Sequence, residues 1–188
     1  MRKSLITAVV TASLFTLTAC GNEDDTDTAG GHNDADVTFA QEMIPHHQQA
    51  IEMADLAESR AESQEVKDLA TDIEAAQGPE IETLTGWLES WGEDVPDEGM
   101  SGVDHGDMSS DDMGGMMTED EMADLEAASG AEFDQMFLTM MIEHHEGAIE
   151  MAKTEQSEGE FPDAVDMAKE IETTQAEEIQ TMQDLLKS

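Results

Sequence analysis

Two pairs of adjacent histidines, His46-His47 and His144-His145, are the residues of this sequence with the clearest capacity for chemistry. Each pair lies between methionines, in FAQEMIPHHQQAIEMA at 39–54 and in FLTMMIEHHEGAIEMA at 137–152. Imidazole nitrogen suits copper, and thioether sulfur favours Cu(I). The combination therefore indicates a site for a soft metal ion.

The two segments are copies of each other at an offset of 98 residues. Between 39–84 and 137–182, about 20 of 46 aligned positions are identical, which marks an internal duplication. Because both copies carry the same chemistry, the candidate metal ligands form a matched set: Met43, His46, His47, Met53, Met141, His144, His145 and Met151.

A helical projection places both histidines of a copy beside the middle of the inward apolar face, at about 100° per residue. An imidazole that is buried without a partner is energetically costly, so each ring needs a hydrogen bond or a metal ion. The alternative to a metal site is therefore a set of histidines that form hydrogen bonds within the core.

Polar residues interrupt the apolar stripes of the helices that follow each histidine pair, at Gln77, Glu80, Gln175 and Glu178. Reflection about the predicted turn of the first hairpin places His46 opposite Gln77 and Met43 opposite Glu80. Such residues orient an imidazole or bind the metal themselves. The alternative is that both glutamates rotate toward water.

The long segment 93–117 is rich in methionine, aspartate, glycine and serine. Its length is typical of a functional or a disordered segment. Thioether clusters suit Cu(I), so accessory metal capture is one interpretation, and an acidic linker with incidental methionines is the other. The side chains concerned are Met100, His105, Met108, Met113, Met116 and Met117.

The N-terminus has the pattern of a bacterial secretory signal. Arg2 and Lys3 precede a short apolar run, and 17–20 reads LTAC, which resembles a lipobox. We therefore predict a signal peptide over 1–20, lipidation of Cys20 and an acidic flexible tether over 21–36, in which His32 is solvated. The alternative for Cys20 is an unmodified thiol.

The formal net charge of −39 becomes −41 when the signal peptide is removed, because Arg2 and Lys3 are lost with it. Nucleic-acid binding needs a basic surface and is therefore excluded. Cys20 is the only cysteine, so the chain cannot form an internal disulfide.

Helical periodicity predicts an all-α domain over 37–188, most simply a four-helix bundle of two hairpins. Its parts are repeat one at 37–92, the methionine-rich loop at 93–117 and repeat two at 118–188. Asp36 is the expected N-cap of the first helix, and Thr118 with Glu121 fits a capping box. Gly78-Pro79 should bend or break the second helix.

The duplicated signature M-I-x-H-H-x-x-A-I-x-M-A closely resembles that of a secreted bacterial family, the domain of unknown function 305. The resemblance extends from Asp36 to Lys187. It implies a ferritin-like four-helix architecture. Because one periplasmic member is a copper-resistance protein that uses methionine and histidine, it also implies copper binding through the eight candidate ligands.

Three functions are compatible with these patterns. The first is copper sequestration or handover to a delivery partner, by a lipoprotein anchored through Cys20 on the outer face of the cytoplasmic membrane. The second is a di-iron-like oxidoreductase, although Met43 and Met141 stand where the Glu-x-x-His motif requires glutamate. The third is a metal-free structural or adaptor bundle whose histidines form core hydrogen bonds or respond to pH. No motif supports hydrolase or transferase activity.

Overall fold

The computed structural model describes residues 31–96 and 114–188. The predicted signal peptide, Cys20 and most of the tether precede these residues. Four of the predicted accessory metal-capture side chains also lie outside the described residues: Met100, His105, Met108 and Met113.

The described residues form five α-helices and no strand, which confirms the all-α prediction. The helices are α1 (Asp34–Arg60), α2 (Gln64–Trp91), α3 (Glu119–Ala127), α4 (Ala131–Glu158) and α5 (Pro162–Leu185). The four long helices form the predicted bundle, and α3 is a short addition between the hairpins.

Capping residues set the helix starts. Thr118 and Glu121 form the predicted capping box of α3. The N-cap of α1 is Asn33, and the prediction that Asp36 fills this role is wrong. The Asn33 side chain accepts hydrogen bonds from the backbone N–H groups of Ala35 and Asp36, and the Asp36 carboxylate accepts one from the N–H of Asn33. α1 therefore includes the last residues of the predicted tether.

α2 continues without a break through Gly78-Pro79, where the sequence predicts a bend or a break. Proline lacks the N–H that would bond the carbonyl of Ala75, and its ring crowds that carbonyl. Two features reduce the cost. Gly78 has no Cβ to clash with the proline ring, and Pro79 lies on the exposed face, where water can solvate the carbonyl.

Each repeat is a helical hairpin, α1 with α2 and α4 with α5, and the hairpins pack together through α1 and α4. At one end of this central pair, Asp36 accepts hydrogen bonds from the N–H groups of 160 and 161. At the other end, Asp134 accepts them from 62 and 63. All these positions are related by the 98-residue offset, so α1 and α4 run antiparallel about a pseudo-twofold axis.

The apolar core is divided into two clusters. One contains Met53 and Met141, and the other contains Met43, with Met151 packed against it. The four paired histidines are buried but belong to neither cluster. A polar layer at the middle of the bundle therefore separates two apolar regions that both carry methionine.

Trp87 and Trp91 pack against one end of the core, and the ring centroid of each lies 5.3 Å from that of Phe161. His32 stacks on Trp91 with ring centroids 4.4 Å apart. The expectation that His32 is solvated is therefore wrong, because the aromatic end of the bundle holds it. Within the described ranges, no helix combines the length and apolarity needed to cross a membrane.

Candidate metal centre

His46 and His144 meet at the centre of the bundle, one from each repeat. Their ring centroids are 3.7 Å apart, and the ring planes are inclined by 38°. Both side chains are completely buried. Ala50 and Ala148 lie one turn further along the same faces and are also completely buried. These small residues allow the backbones of α1 and α4 to approach closely enough for the two rings to meet.

His47 and His145 flank this central pair, and each forms a hydrogen bond to a glutamate of its own hairpin. Nε2 of His47 lies 2.7 Å from Oε2 of Glu80, and Nε2 of His145 lies 2.7 Å from Oε2 of Glu178. A carboxylate can only accept, so each Nε2 carries the proton and donates. In the neutral form of such a ring, Nδ1 carries the lone pair, in the orientation that carboxylates commonly impose on metal-binding histidines.

The pairing within the hairpin is displaced by about one turn from the prediction, because Glu80 forms its hydrogen bond with His47, one turn along α1 from Met43. Helical side chains lean toward the N-terminus of their own helix, and in an antiparallel pair these directions converge. The glutamates do not simply rotate to water, since both bind histidine. Gln77 and Gln175 are buried beside them, and their Oε1 atoms have no hydrogen-bond partner in the described part of the protein.

Six ring nitrogens of the four histidines also have no hydrogen-bond partner among the described residues. They are both nitrogens of His46, both of His144, and Nδ1 of His47 and His145. Each buried polar atom left in this state costs about 1–3 kcal/mol. So many unpaired ring nitrogens in one layer are unfavourable in a core without metal, but nitrogens of this kind are suitable metal ligands.

Burial, reinforced by the neighbouring histidines, lowers the pKa of His46 and of His144 well below the usual value. Both imidazoles are therefore neutral at pH 7. A neutral imidazole has one nitrogen lone pair available to a metal ion.

The predicted methionine ligands lie on both sides of the histidine layer. Met43, Met53 and Met141 are completely buried, whereas Met151 is partly exposed. The accessory residue Met117 does not lie in an exposed loop, because it is buried in the apolar cluster with Met53. Met116 beside it is partly buried. Met117 therefore packs as a core side chain, and surface capture of an ion by it is not supported.

The segment 114–117 crosses the central helices at the level of the histidines. The Gln49 side chain donates to the carbonyl of Met117 at 2.8 Å and accepts from its N–H at 2.7 Å. Gly147 occupies the equivalent position of the second repeat. A Cβ there would clash with the Gly114 carbonyl oxygen, so only glycine leaves room for the segment. Neither residue is among the predicted site residues, although the two copies visibly differ here, with Gln49 in one and Gly147 in the other.

Within residues 31–96 and 114–188, no group of three or more His, Cys, Asp or Glu side chains is arranged to hold a metal ion. This gives no support to a di-iron centre, which needs four carboxylates with two histidines. Beside the imidazoles, this part of the bundle offers the thioethers of Met43, Met53 and Met141. The neutral rings, the unpaired nitrogens and the adjacent methionines fit a soft ion.

Comparison with solved structures finds similar helical proteins. A DUF305 protein from Streptomyces coelicolor is 34% identical, with 81% of this chain and 90% of that chain covered and a TM-score of 0.70. A DUF305 fragment from Deinococcus radiodurans is 29% identical, with 82% and 96% covered and a TM-score of 0.71. CopM in its Cu(II)-bound form is 33% identical, with 81% and 95% covered and a TM-score of 0.67.

CopM has also been solved with Cu(I) and with silver bound. Comparison with curated proteins finds no match. The model of the domain of unknown function DUF305 matches residues 36–186, which include all five helices except the first two residues of α1. The chain therefore belongs to the DUF305 family.

Proposed function

We propose that this protein binds copper between α1 and α4 and holds it for sequestration or handover outside the cytoplasm. The observation that carries the proposal is the layer of four buried histidines with six unpaired ring nitrogens. A metal-free core would bear the cost of these atoms with no compensation. A bound ion would take one lone pair from each neutral imidazole as a ligand.

The histidine layer forms one shared centre in this proposal. The rings of His46 and His144 come from different repeats, and their centroids are only 3.7 Å apart. Two independent sites would need separate surroundings for these rings. Imidazoles from both repeats therefore bind the same ion or ion pair, and Glu80 and Glu178 hold the outer imidazoles in position.

The methionines on both sides of the layer give the centre its preference for a soft ion. Thioethers favour Cu(I), and imidazole suits copper generally. CopM, a relative of similar fold and 33% identity, binds Cu(II), Cu(I) and silver. Since silver is a common stand-in for Cu(I), these bound forms support the same chemistry for the present chain.

Membrane attachment is the second part of the proposal. The LTAC sequence at 17–20 follows an apolar run, and lipidation of Cys20 would anchor the bundle on the outer face of the cytoplasmic membrane. No other cysteine is present in the sequence. A ligand set of imidazole and thioether avoids the loss of thiolates to disulfides in an oxidising compartment.

A competition titration tests the proposal. The purified protein is titrated with Cu(I), Cu(II), Zn(II) and Fe(II) against a chelator of known affinity, in high salt to screen the surface carboxylates. We expect stoichiometric, copper-selective binding that salt does not remove. Weak binding that disappears with salt would show that the histidines are structural.

A further inference from the structure

The pseudo-twofold axis generates two equivalent grooves between α1 and α4, and α3 lies over one of them. Leu125 of α3 and Ala128 after it are buried in the same apolar cluster as Ala57 and Met140, with Leu56 and Met136 packed against it. These side chains come from the end of α1 and the start of α4. The covered groove is therefore apolar on both sides.

The equivalent groove, between the start of α1 and the end of α4, has no helix over it in the described structure. It has a volume of about 580 Å³. None of the described residues that line it is basic, and five are acidic: Asp34, Glu42, Glu150, Glu155 and Glu158. The axis thus relates one groove that α3 covers to one that no described helix covers.

The repeats differ at the positions that line these grooves. Where the covered groove has Met136 and Met140, the open groove has Thr38 and Glu42. Where the covered groove has Leu56 and Ala57, the open groove has Thr154 and Glu155. An apolar helix like α3 would not pack on these polar walls, since their desolvation is costly. The sequence differences therefore make the walls of this groove polar and acidic.

Glu155 distinguishes the groove from the general acidity of the surface. Only 1% of this residue is exposed, and no N–H or O–H donor of the described residues bonds its carboxyl oxygens. Its carboxyl lies against that of Asp36, which accepts hydrogen bonds from the N–H groups of Asn33, Glu160 and Phe161. Burial and Asp36 raise the pKa of Glu155 to about 8, so the carboxyl is protonated at neutral pH, and a cation in the groove would displace that proton.

The inner end of the groove approaches the histidine layer, although none of the four histidines lines it. Gly114 and Gly147 line it, and the backbone of Gly114 adjoins His46. Met151 also lines the groove and is partly exposed, whereas its equivalent in the first repeat, Met53, is completely buried. The groove therefore offers carboxylates at its mouth and a thioether beside the histidine layer.

We propose that this open groove is the route by which the metal cation reaches the buried histidine centre. The inference rests on the proposed copper function. Carboxylates raise the local concentration of cations at the mouth of a cleft. The ion then exchanges oxygen ligands for the thioether of Met151 and the imidazoles, which suit copper better.

Bulky substitutions on the two walls test the route. Thr38→Trp and Thr154→Trp each place an indole in the groove, and Thr173→Trp is the control on the exposed face of α5. Stopped-flow loading with Cu(II) and chelator-driven release are measured with the equilibrium Kd, and circular dichroism checks folding. We expect both wall variants to slow loading and release by about tenfold with little change in Kd, since a route residue alters only the barrier.

Wild-type rates in both folded wall variants would overturn the route and leave the copper function intact. Absence of tight copper binding in the unsubstituted protein would overturn both proposals.

A second experiment, on charge, covers the case in which a wall variant fails to fold. Glu150→Gln with Glu158→Gln should slow loading about threefold or more, and more than Glu74→Gln with Glu82→Gln on α2. Equal effects of these two double variants would contradict steering by the groove.

Discussion

Asp36 and Asp134 occupy the same position in the two repeats, and each carboxylate binds the turn of the opposite hairpin. Asp36 accepts hydrogen bonds from the backbone N–H groups of Glu160 and Phe161, and Asp134 accepts them from Glu62 and Ser63. The duplication has thus produced a reciprocal tie. These bonds hold α1 and α4 in the register that brings His46 and His144 together.

We expect Asp36→Ala to lower the free energy of unfolding by about 2–4 kcal/mol and Asp134→Ala by about 1–3 kcal/mol. Asp36 loses more because it is completely buried and binds more N–H groups. Urea denaturation measures both. Asp55→Ala, at an exposed position of α1, is the control and should change little. Equal stability of all three variants would show that the ties do not hold the hairpins together.

Glu155 gives the stability of the protein a specific pH dependence. Burial, with a contribution from Asp36, raises the pKa of Glu155 from 4.5 to about 8. A raised pKa means that the folded state favours the protonated carboxyl. Its stabilising contribution is therefore complete below pH 4.5 and is lost as the pH rises toward 8.

Glu155→Gln should remove this dependence because glutamine mimics the neutral carboxyl. Thermal unfolding from pH 4.5 to 8.5 should show the wild type losing stability relative to the variant as the pH rises through about 8. Glu158→Gln, an exposed neighbour at the end of α4, is the control for the loss of one charge. Parallel pH profiles for the wild type and Glu155→Gln would contradict a protonated Glu155 in the folded protein.

The close contact at Gly147 predicts opposite signs for two Gly→Ala substitutions in helices. Gly147→Ala places a Cβ against the Gly114 carbonyl and should destabilise the protein by about 1–3 kcal/mol. Gly86→Ala meets no atom within 4 Å and should stabilise it by about 0.5–1 kcal/mol. Chemical denaturation of both variants decides this. A stabilising Gly147→Ala would mean that 114–117 does not pack on α4.

The carboxylates that hold the outer imidazoles should affect metal affinity without being required for the fold. We expect Glu80→Gln with Glu178→Gln to weaken copper binding by about 10- to 100-fold. Glu74→Gln with Glu82→Gln, at exposed positions on α2, controls for the loss of two charges. Chelator competition at high salt measures both. Unchanged affinity after removal of the Glu80 and Glu178 carboxylates would show that they do not support the ligands.

The sequence predicted the helices and the inward direction of the histidines because both depend on local periodicity. The predictions for Asp36 and Met117 failed because the outcome depends on partners that are distant in the sequence. Asp36 is read locally as an N-cap, but the opposite hairpin uses its carboxylate and Asn33 takes the capping role. In the sequence, Met117 has the pattern of an exposed residue in an acidic loop. In the structure, Gln49 forms hydrogen bonds with its backbone and its side chain is buried.

The centre itself was only partly predictable from the residue pattern. Matching copies identified the four histidines, but the contact between His46 and His144 follows from the antiparallel packing of α1 and α4. Residue spacing within one hairpin does not contain this information. The functional meaning of Gly147 and Glu155 likewise appears only when the two grooves are compared in three dimensions.

Substitution of all four histidines tests whether the layer is the binding site. The quadruple variant His46→Ala, His47→Ala, His144→Ala and His145→Ala should lose tight copper binding while its helical circular dichroism persists. The substitutions lose the packing of the rings, but they also remove the energetic cost of the unpaired ring nitrogens, which offsets much of that loss. Tight binding by this variant would place the site on the acidic surface or in the segment 93–117.

X-ray absorption spectroscopy of the copper-loaded protein at high salt identifies the atoms bound to the metal. If histidines and methionines between α1 and α4 bind copper, the spectrum shows nitrogen neighbours with the multiple-scattering pattern of imidazole, together with sulfur neighbours. Loss of the imidazole pattern in His46→Ala with His144→Ala would assign it to the central pair. A first shell of oxygen alone would contradict copper binding by the histidine layer and show that carboxylates hold the ion.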